Sequence, residues 1–383
     1  MLNNFSRQEV LRYSRHLMMP DVGLEGQLKL KTASVLMVGG GGLGSPIGLY
    51  LAAAGIGHIG IVDYDRVDMS NLQRQVIHGM STLNELKVES ARQRMLDINP
   101  DIQVDIYPEP FTSANARDIA RNYQIIVDGT DNFPTRYLIN DLCVLTQKPF
   151  VYGAVYRFEG QSSVFDAQRG PCYRCLFSQP PSPEMAPTCG DIGVLGVMPG
   201  LVGMIQATET IKLILGMGEP MIGKMMLIDA VSASFQTVQI QKNPHCPICG
   251  SQPVITDLID YVEFCGVPFP GGQPHQASIP EITPTELAQR MTREDTLQLI
   301  DVRQTVEKQI SDLPHAVNIP LDGLSQRLGQ LDPDKDIVVF CRTGGRSAMA
   351  QSMLMKAGFT RVLNLRGGIN AWAREVDPNV WQY

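Results

Sequence analysis

The chain has 383 residues, of which 44% are hydrophobic and 19% charged; that composition fits two or three folded domains and excludes a mainly disordered chain. A formal net charge of -7 leaves no basic surplus to neutralise phosphates, so nucleic acid is not expected as a partner. From Met1 to His16 the residues are polar and charged, without the apolar core of a signal peptide. A helix is expected from Arg7 to Met18, stopped by Pro20. Ser34 to Val38 reads as a short apolar strand, followed at once by Gly39-Gly40-Gly41-Gly42-Leu43-Gly44, a helix from Ser45 to Ala54 and a second strand from His58 to Asp63. This is a βαβ unit, the context that a glycine-rich nucleotide loop requires. Further strand signals at Val104 to Tyr107 and Gln124 to Asp128 extend it to a doubly wound α/β sheet.

The uncharged run Ile192 to Thr208 is broken by glycines and Pro199 and followed at helical spacing by Glu209 and Lys212. It reads as a buried helix and not a membrane span. The expected location is the cytoplasm, where eight cysteines serve as metal ligands and nucleophiles in preference to disulfides. From Gly250 to Pro284 prolines and glycines mark a connector. Beyond it β/α alternation restarts, with strands at Thr296 to Asp301 and Ile337 to Phe340 and a helix from Ser347 to Ala357. The expected division is therefore a domain over 1–250, a linker over 251–284 and a small α/β domain over 285–383.

Three constellations carry chemistry. In the first, Gly39, Gly41 and Gly44 fit G-x-G-x-x-G, with Gly42 in the same loop, and Asp63 ends the next strand in position for a ribose hydroxyl. Taken alone this suits an NAD-binding dehydrogenase equally well. Ser70, Asn71, Arg74 and Lys87 follow Asp63, and Asp131 and Asn132 follow another strand. Adenylation needs such parts: a carboxylate must approach the α-phosphate of ATP despite like charge, and pyrophosphate must leave. Arg74 and Lys87 supply positive charge, and Asp131 can hold Mg²⁺.

In the second, Cys172-x-x-Cys175 and Cys246-x-x-Cys249 are metal-type knuckles. Four thiolates make a closed, structural Zn²⁺ site; two redox-active pairs are the rival reading. The third is Cys341-Arg342-Thr343-Gly344-Gly345-Arg346, a run of N–H groups around a cysteine with arginines at both ends, Arg342 and Arg346, which stabilises negative charge on sulfur. The loop is shorter than the cradle protein phosphatases build around phosphate, and it suits a terminal sulfur atom.

The segment Val338 to Ser347, with Arg361 to Gly368 and Ala371-Trp372 near the end, resembles the rhodanese sulfurtransferases. Residues from about Leu11 to Gly250 resemble the MoeB/ThiF group of ubiquitin-activating-like enzymes, through Arg12 to His16, the glycine loop, Asp63 to Val67, Ser70 to Gln75, Lys87 and Asp131-Asn132. The whole is similar to fusions of a molybdopterin-synthase adenylyltransferase with a sulfurtransferase. The resemblance implies a Rossmann-like adenylation domain with structural zinc and a rhodanese domain, using ATP and Mg²⁺. It implies a ubiquitin-like sulfur carrier ending in Gly-Gly as substrate, a persulfide on Cys341 loaded by a donor such as a cysteine desulfurase, and a homodimer in which Arg15 reaches the ATP of the opposite subunit. It also places a thioester-forming candidate at Cys189, although a Cys341 persulfide could attack the adenylate directly. Cys143 reads as a buried small residue and Cys265 as a linker residue. Asp301 and Arg303 read as a pair bracing the active loop, and His315 as structural. A scaffold that recruits carriers without forming an adenylate is the remaining alternative.

Overall fold

The computed structural model describes residues 2–181, 193–266, 280–293 and 297–383. Two compact units result, one up to residue 266 and one from residue 280 onward. Among the described residues of the first unit, eight strands form a single sheet: β1 (Ser34–Val38), β2 (His58–Val62), β3 (Gln103–Tyr107), β4 (Ile125–Asp128), β5 (Phe150–Tyr156), β6 (Glu159–Phe165), β7 (Lys224–Asp229) and β8 (Ser234–Gln239). Their order is β3-β2-β1-β4-β5-β6-β7-β8. The first five are parallel and the last three join antiparallel. Residues Val35 to Val38 are all buried, the continuous apolar run of a parallel strand covered on both faces.

Order reverses between β1 and β4: the chain steps outward from β1 through β2 to β3, then returns to the other side of β1. In open α/β sheets ligands bind in the crevice at the carboxyl ends of such a strand pair. Here the crevice is formed by the residues after β1 and β4, Gly39 and Gly129, and the expected nucleotide loop occupies it. On one face of the sheet the core is built from Ile47, Leu51, Val88, Met95, Met198 and Val202; on the other from Ile119, Tyr137, Leu142 and Phe165.

The expected buried helix is present as Val197–Leu215, with Gln206 and Thr210 fully buried. Glu209 and Lys212 pair within it at 2.6 Å. No described helix is long and apolar enough to cross a membrane.

The first unit runs further than the connector reading placed it. Residues Tyr261–Cys265 form a helix capped by Asp260, whose carboxylate accepts from the N–H groups of Val262 and Glu263. Tyr261 and Cys265 are buried, and the Tyr261 hydroxyl donates to Asp141 at 2.9 Å. Cys265 is thus a core residue. Proline and glycine content marked the segment as a linker, but an aromatic cluster fixes it. At the far end, Glu281–Ile282 is a strand and Pro284 opens the helix Pro284–Thr292 behind the Thr283 capping box.

The second unit holds a parallel sheet of five strands among its described residues: β9 (Glu281–Ile282), β10 (Leu297–Asp301), β11 (Val317–Asn318), β12 (Asp336–Phe340) and β13 (Val362–Leu365), in the order β11-β10-β12-β13-β9. Cys341 directly follows the central strand β12.

Candidate functional site

Gly39 leaves β1 at φ +101°, and a Cβ there would stand 2.6 Å from the Gly129 carbonyl oxygen. Only glycine satisfies both the left-handed backbone and that approach. The helix Gly44–Ala54 begins where the loop ends, and Ser45 donates both its N–H and its hydroxyl to the Gly41 carbonyl. A glycine turn followed by a helix N-terminus is the arrangement that receives phosphate.

Asp63 is tied to this loop: Oδ2 accepts from the Gly40 N–H at 2.8 Å and Oδ1 from the Asp65 N–H at 2.9 Å. Burial pushes its carboxyl up from the ordinary value, with the Lys87 charge and the two N–H groups acting against it. Lys87 is nearly buried and pairs with Asp65 at 2.7 Å. Arg74 is half-buried, donates to the Ser70 carbonyl, and lies beside Gly42. Ser70 donates its hydroxyl to Asp68. The side-chain oxygen of Asn71 accepts from the Asp68 N–H, and that of Asn132 caps the helix Phe133–Thr146. Asp131 is exposed beside that cap, and Arg15 is exposed on the short helix Ser14–Leu17.

Several supporting residues escaped the sequence reading. Asp128, the last residue of β4, is fully buried; it pairs with Arg136 at 2.9 Å and accepts from the Thr130 N–H and hydroxyl. Gln206 donates to the Asp128 carbonyl at 2.7 Å. Gln75, which ends the Ser70 to Gln75 segment already singled out, is buried beside Gly41, and its side-chain carbonyl oxygen has no hydrogen-bond partner among the described residues. His78 is buried between the Gly40 carbonyl and the Ser90 hydroxyl. A charged residue closing an apolar strand was a usable signal for Asp128. For His78 the signal was weaker: a histidine directly after the apolar pair Val76-Ile77.

The four knuckle cysteines meet in space. Cys172 lies 3.5 Å from Cys246 and 3.3 Å from Cys249 by sulfur, and Cys175 lies 3.4 Å from Cys249. All four sulfurs lie within 4.8 Å of one another, and none forms a disulfide. A tetrahedral site with Zn–S near 2.3 Å has sulfurs about 3.8 Å apart, so the donor set fits one Zn²⁺ with no position left open. Two independent redox pairs do not explain the convergence. The cluster is tied to the domain body through Arg174, which chelates Asp141 at 2.7 and 2.8 Å, and through the Tyr173 N–H, which donates to Asn140.

In the second unit the Cys341 sulfur accepts from the Gly344 N–H at 3.1 Å and from the Ser347 hydroxyl at 3.4 Å. Gly344 stands at φ +105°, so the turn toward the sulfur needs glycine. Loop carbonyls are held from behind: the Ile369 N–H donates to the Cys341 carbonyl and the Asn370 N–H to that of Arg342. These donors open the helix Gly368–Glu375. Cys341 is buried, whereas Thr343 and Gly345 are exposed.

Arg346, expected to place positive charge beside the sulfur, forks onto Glu307, so its charge is balanced by a carboxylate absent from the sequence reading. Arg342 lies over the Tyr383 ring. Asp301 and Arg303 form a fully buried pair at 2.8 Å, and Arg303 reaches the Tyr383 hydroxyl, which makes them the brace that was expected. His315 is exposed in a left-handed turn. Cys189 lies outside the described residues.

Comparison with known proteins agrees with this partition. The model of the ThiF family matches residues 13–248, and that of the rhodanese-like domain matches residues 283–375. The chain is 47% identical to the probable adenylyltransferase/sulfurtransferase MoeZ of Mycobacterium tuberculosis, over 99% of its own length and 96% of that protein's. To the adenylyltransferase and sulfurtransferase MOCS3 of Drosophila sechellia it is 42% identical, over 98% of this chain and 85% of that one. Among solved structures, E. coli MccB with ATP shares the fold at a TM-score of 0.54 and 22% identity, covering 62% of this chain and 74% of that one.

Proposed function

The chain belongs to the ThiF family and continues into a rhodanese-like domain, and from that premise we propose that it converts the C-terminal Gly-Gly carboxylate of a ubiquitin-like sulfur carrier into a thiocarboxylate. It is an adenylyltransferase and a sulfurtransferase, as are the relatives it matches from end to end. The observation that carries the finer reading is the union in one chain of two loops: a glycine loop at the β1/β4 crevice, gripped by Asp63 at Gly40, and a cysteine held at a strand-to-helix turn by Gly344 and Ser347.

In the first stage the carrier carboxylate attacks the α-phosphorus of ATP, and pyrophosphate leaves with the bonding pair. The glycine loop and helix N-terminus receive phosphate, Arg74 and Lys87 offset the charge that develops, and Asp131 would hold Mg²⁺, which would supply further charge neutralisation at the phosphates. Arg15 of one subunit of a homodimer reaches the ATP of the other. In the second stage a donor persulfide, as on a cysteine desulfurase, loads Cys341. The terminal sulfur attacks the acyl-adenylate and AMP leaves, giving an acyl disulfide on Cys341. A second thiol attacks the Cys341 sulfur, and the thiocarboxylate leaves with the electron pair. In the alternative route Cys189 attacks the adenylate first and holds the acyl group as a thioester while AMP leaves, and the persulfide then displaces the Cys189 thiolate.

The experiment is exchange of labelled pyrophosphate into ATP that depends on a Gly-Gly carrier, followed by mass spectrometry of the carrier for replacement of oxygen by sulfur. Exchange without thiocarboxylate, when a persulfide donor is supplied, would remove the second stage. Absence of exchange would remove the first.

A further inference from the structure

The segment after Asn71 runs alongside the glycine loop. Arg74 lies beside Gly42, Gln75 beside Gly41, and His78 meets the Gly40 carbonyl, Nε2 to oxygen at 3.0 Å. On the other side of the ring, Nδ1 stands 2.9 Å from the Ser90 hydroxyl, which is 2.9 Å from that of Thr82. Ser90 belongs to the helix Lys87–Ile98, whose first residue is Lys87.

The direction of these bonds follows from the partners. A backbone carbonyl can only accept, so the Nε2 facing Gly40 carries the proton. Nδ1 is then the acceptor, and the Ser90 hydroxyl donates to it. Burial pushes the imidazole pKa down to about 4, with the nearby Lys87 charge acting in the same direction. One proton per ring is therefore the state near neutral pH.

Gly40 is thus held at both ends, its N–H by Asp63 and its carbonyl by His78. A carbonyl oxygen free to swing into an anion site would repel phosphate, and each loop dipole that must reorient on binding weakens it. We propose that His78 is a positioning residue for the nucleotide: by donating Nε2–H to the Gly40 carbonyl it holds that oxygen away from the phosphates and preorganises the loop for ATP. The proposal deepens the adenylation reading and rests on it.

Two substitutions separate positioning from bulk. His78→Gln puts an amide N–H near the place of Nε2 and keeps the donor to Gly40. His78→Asn reaches only the place of Nδ1, keeps a partner for Ser90 and loses the Gly40 bond. Equilibrium binding of ATP to the full chain, without carrier, should weaken about tenfold in His78→Asn, the loss of one buried hydrogen bond to the loop. It should return to within about threefold of wild type in His78→Gln. In pyrophosphate exchange the ATP KM should follow the same pattern, while the KM for carrier stays put.

A structural role alone would lower the melting temperature and move both variants together. Unchanged ATP binding in His78→Asn, or equal impairment in both, overturns the proposal. Should His78→Asn fail to fold, His78→Phe is measured instead; it keeps a ring in place and removes the donor to the Gly40 carbonyl, and unchanged ATP affinity there has the same force. Because ATP binding needs no carrier, a wild type that binds ATP without exchanging pyrophosphate counts against the adenylation reading alone.

Discussion

Arg346 and Glu307 form a two-pronged ion pair, Nη1 to Oε2 at 2.6 Å and Nη2 to Oε1 at 2.7 Å. The Tyr383 hydroxyl donates to the same carboxylate at 2.7 Å while accepting from Arg303 at 3.0 Å. Arg346 at the end of the Cys341 loop is thereby connected to the buried Asp301–Arg303 pair at the end of β10. Both members of the Arg346–Glu307 pair are mostly buried, with side-chain exposures of 6% and 14%. Removing Arg346 leaves the Glu307 carboxylate desolvated, with the Tyr383 hydroxyl and the Gln304 N–H but without its guanidinium. Arg346→Ala should therefore destabilise the second unit by about 3 kcal/mol, as read by denaturant unfolding. Sulfur transfer should fall through loss of loop order. An unchanged unfolding midpoint would show that the pair does not brace the loop.

The same pair sets an acid limit. Burial works to raise the Glu307 carboxyl, but the bonds from Arg346 and Tyr383 and the Arg346 charge outweigh it, and the net direction is down. A carboxyl depressed in the folded state contributes stability that is complete above its ordinary value of about 4.3 and is lost as pH falls through the lower folded value. The gap in unfolding midpoint between wild type and Glu307→Gln should be constant above about pH 5 and shrink below about pH 4. A gap that widens on acidification would reverse the assignment.

Metal analysis should find about one zinc per chain. Cys172→Ser or Cys249→Ser should lose the metal and lower the stability of the first unit. A metal-free preparation with unchanged melting temperature would exclude a structural site.

Asp131→Ala should reduce pyrophosphate exchange by about 100-fold or more, since a lost metal ligand removes charge stabilisation of the transition state. Asp131 is exposed, so the fold should survive, as far-ultraviolet circular dichroism would show. Wild-type exchange in this variant would rule out the assignment of Asp131 to Mg²⁺.

Cys341→Ala should retain exchange and lose thiocarboxylate synthesis, because the two reactions use different units of the chain. Cys189→Ala is its companion. Appreciable synthesis in that variant means that the persulfide attacks the adenylate directly, without a thioester on Cys189. Collapse of synthesis with exchange intact makes Cys189 obligatory. Full synthesis by Cys341→Ala with sulfide excluded would remove the second unit as the source of sulfur.

The parts of the fold visible in the sequence were those whose signals are local. The apolar run Ser34–Val38, the glycine loop behind it and the paired knuckles each declare themselves within a few residues, and the structure places them as expected. Contacts between distant residues left no such trace. Glu307 and Tyr383 read as an ordinary surface acid and an ordinary aromatic until folding brings them to Arg346. His78 gains its meaning from Gly40 and Ser90, which sit on other elements. The helix Tyr261–Cys265 was lost among prolines because its anchor, Asp141, lies 120 residues earlier.

That anchor is shared. Arg174, set between two of the knuckle cysteines, chelates Asp141 and stacks on Phe264, while Tyr261 bonds to the same carboxylate. The four-sulfur cluster and the last helix of the first unit therefore stabilise each other, and by linkage whatever strengthens one strengthens the other equally. A chelator or an oxidant acting on the sulfurs would also act as a release catch, loosening the helix Tyr261–Cys265 together with the cluster.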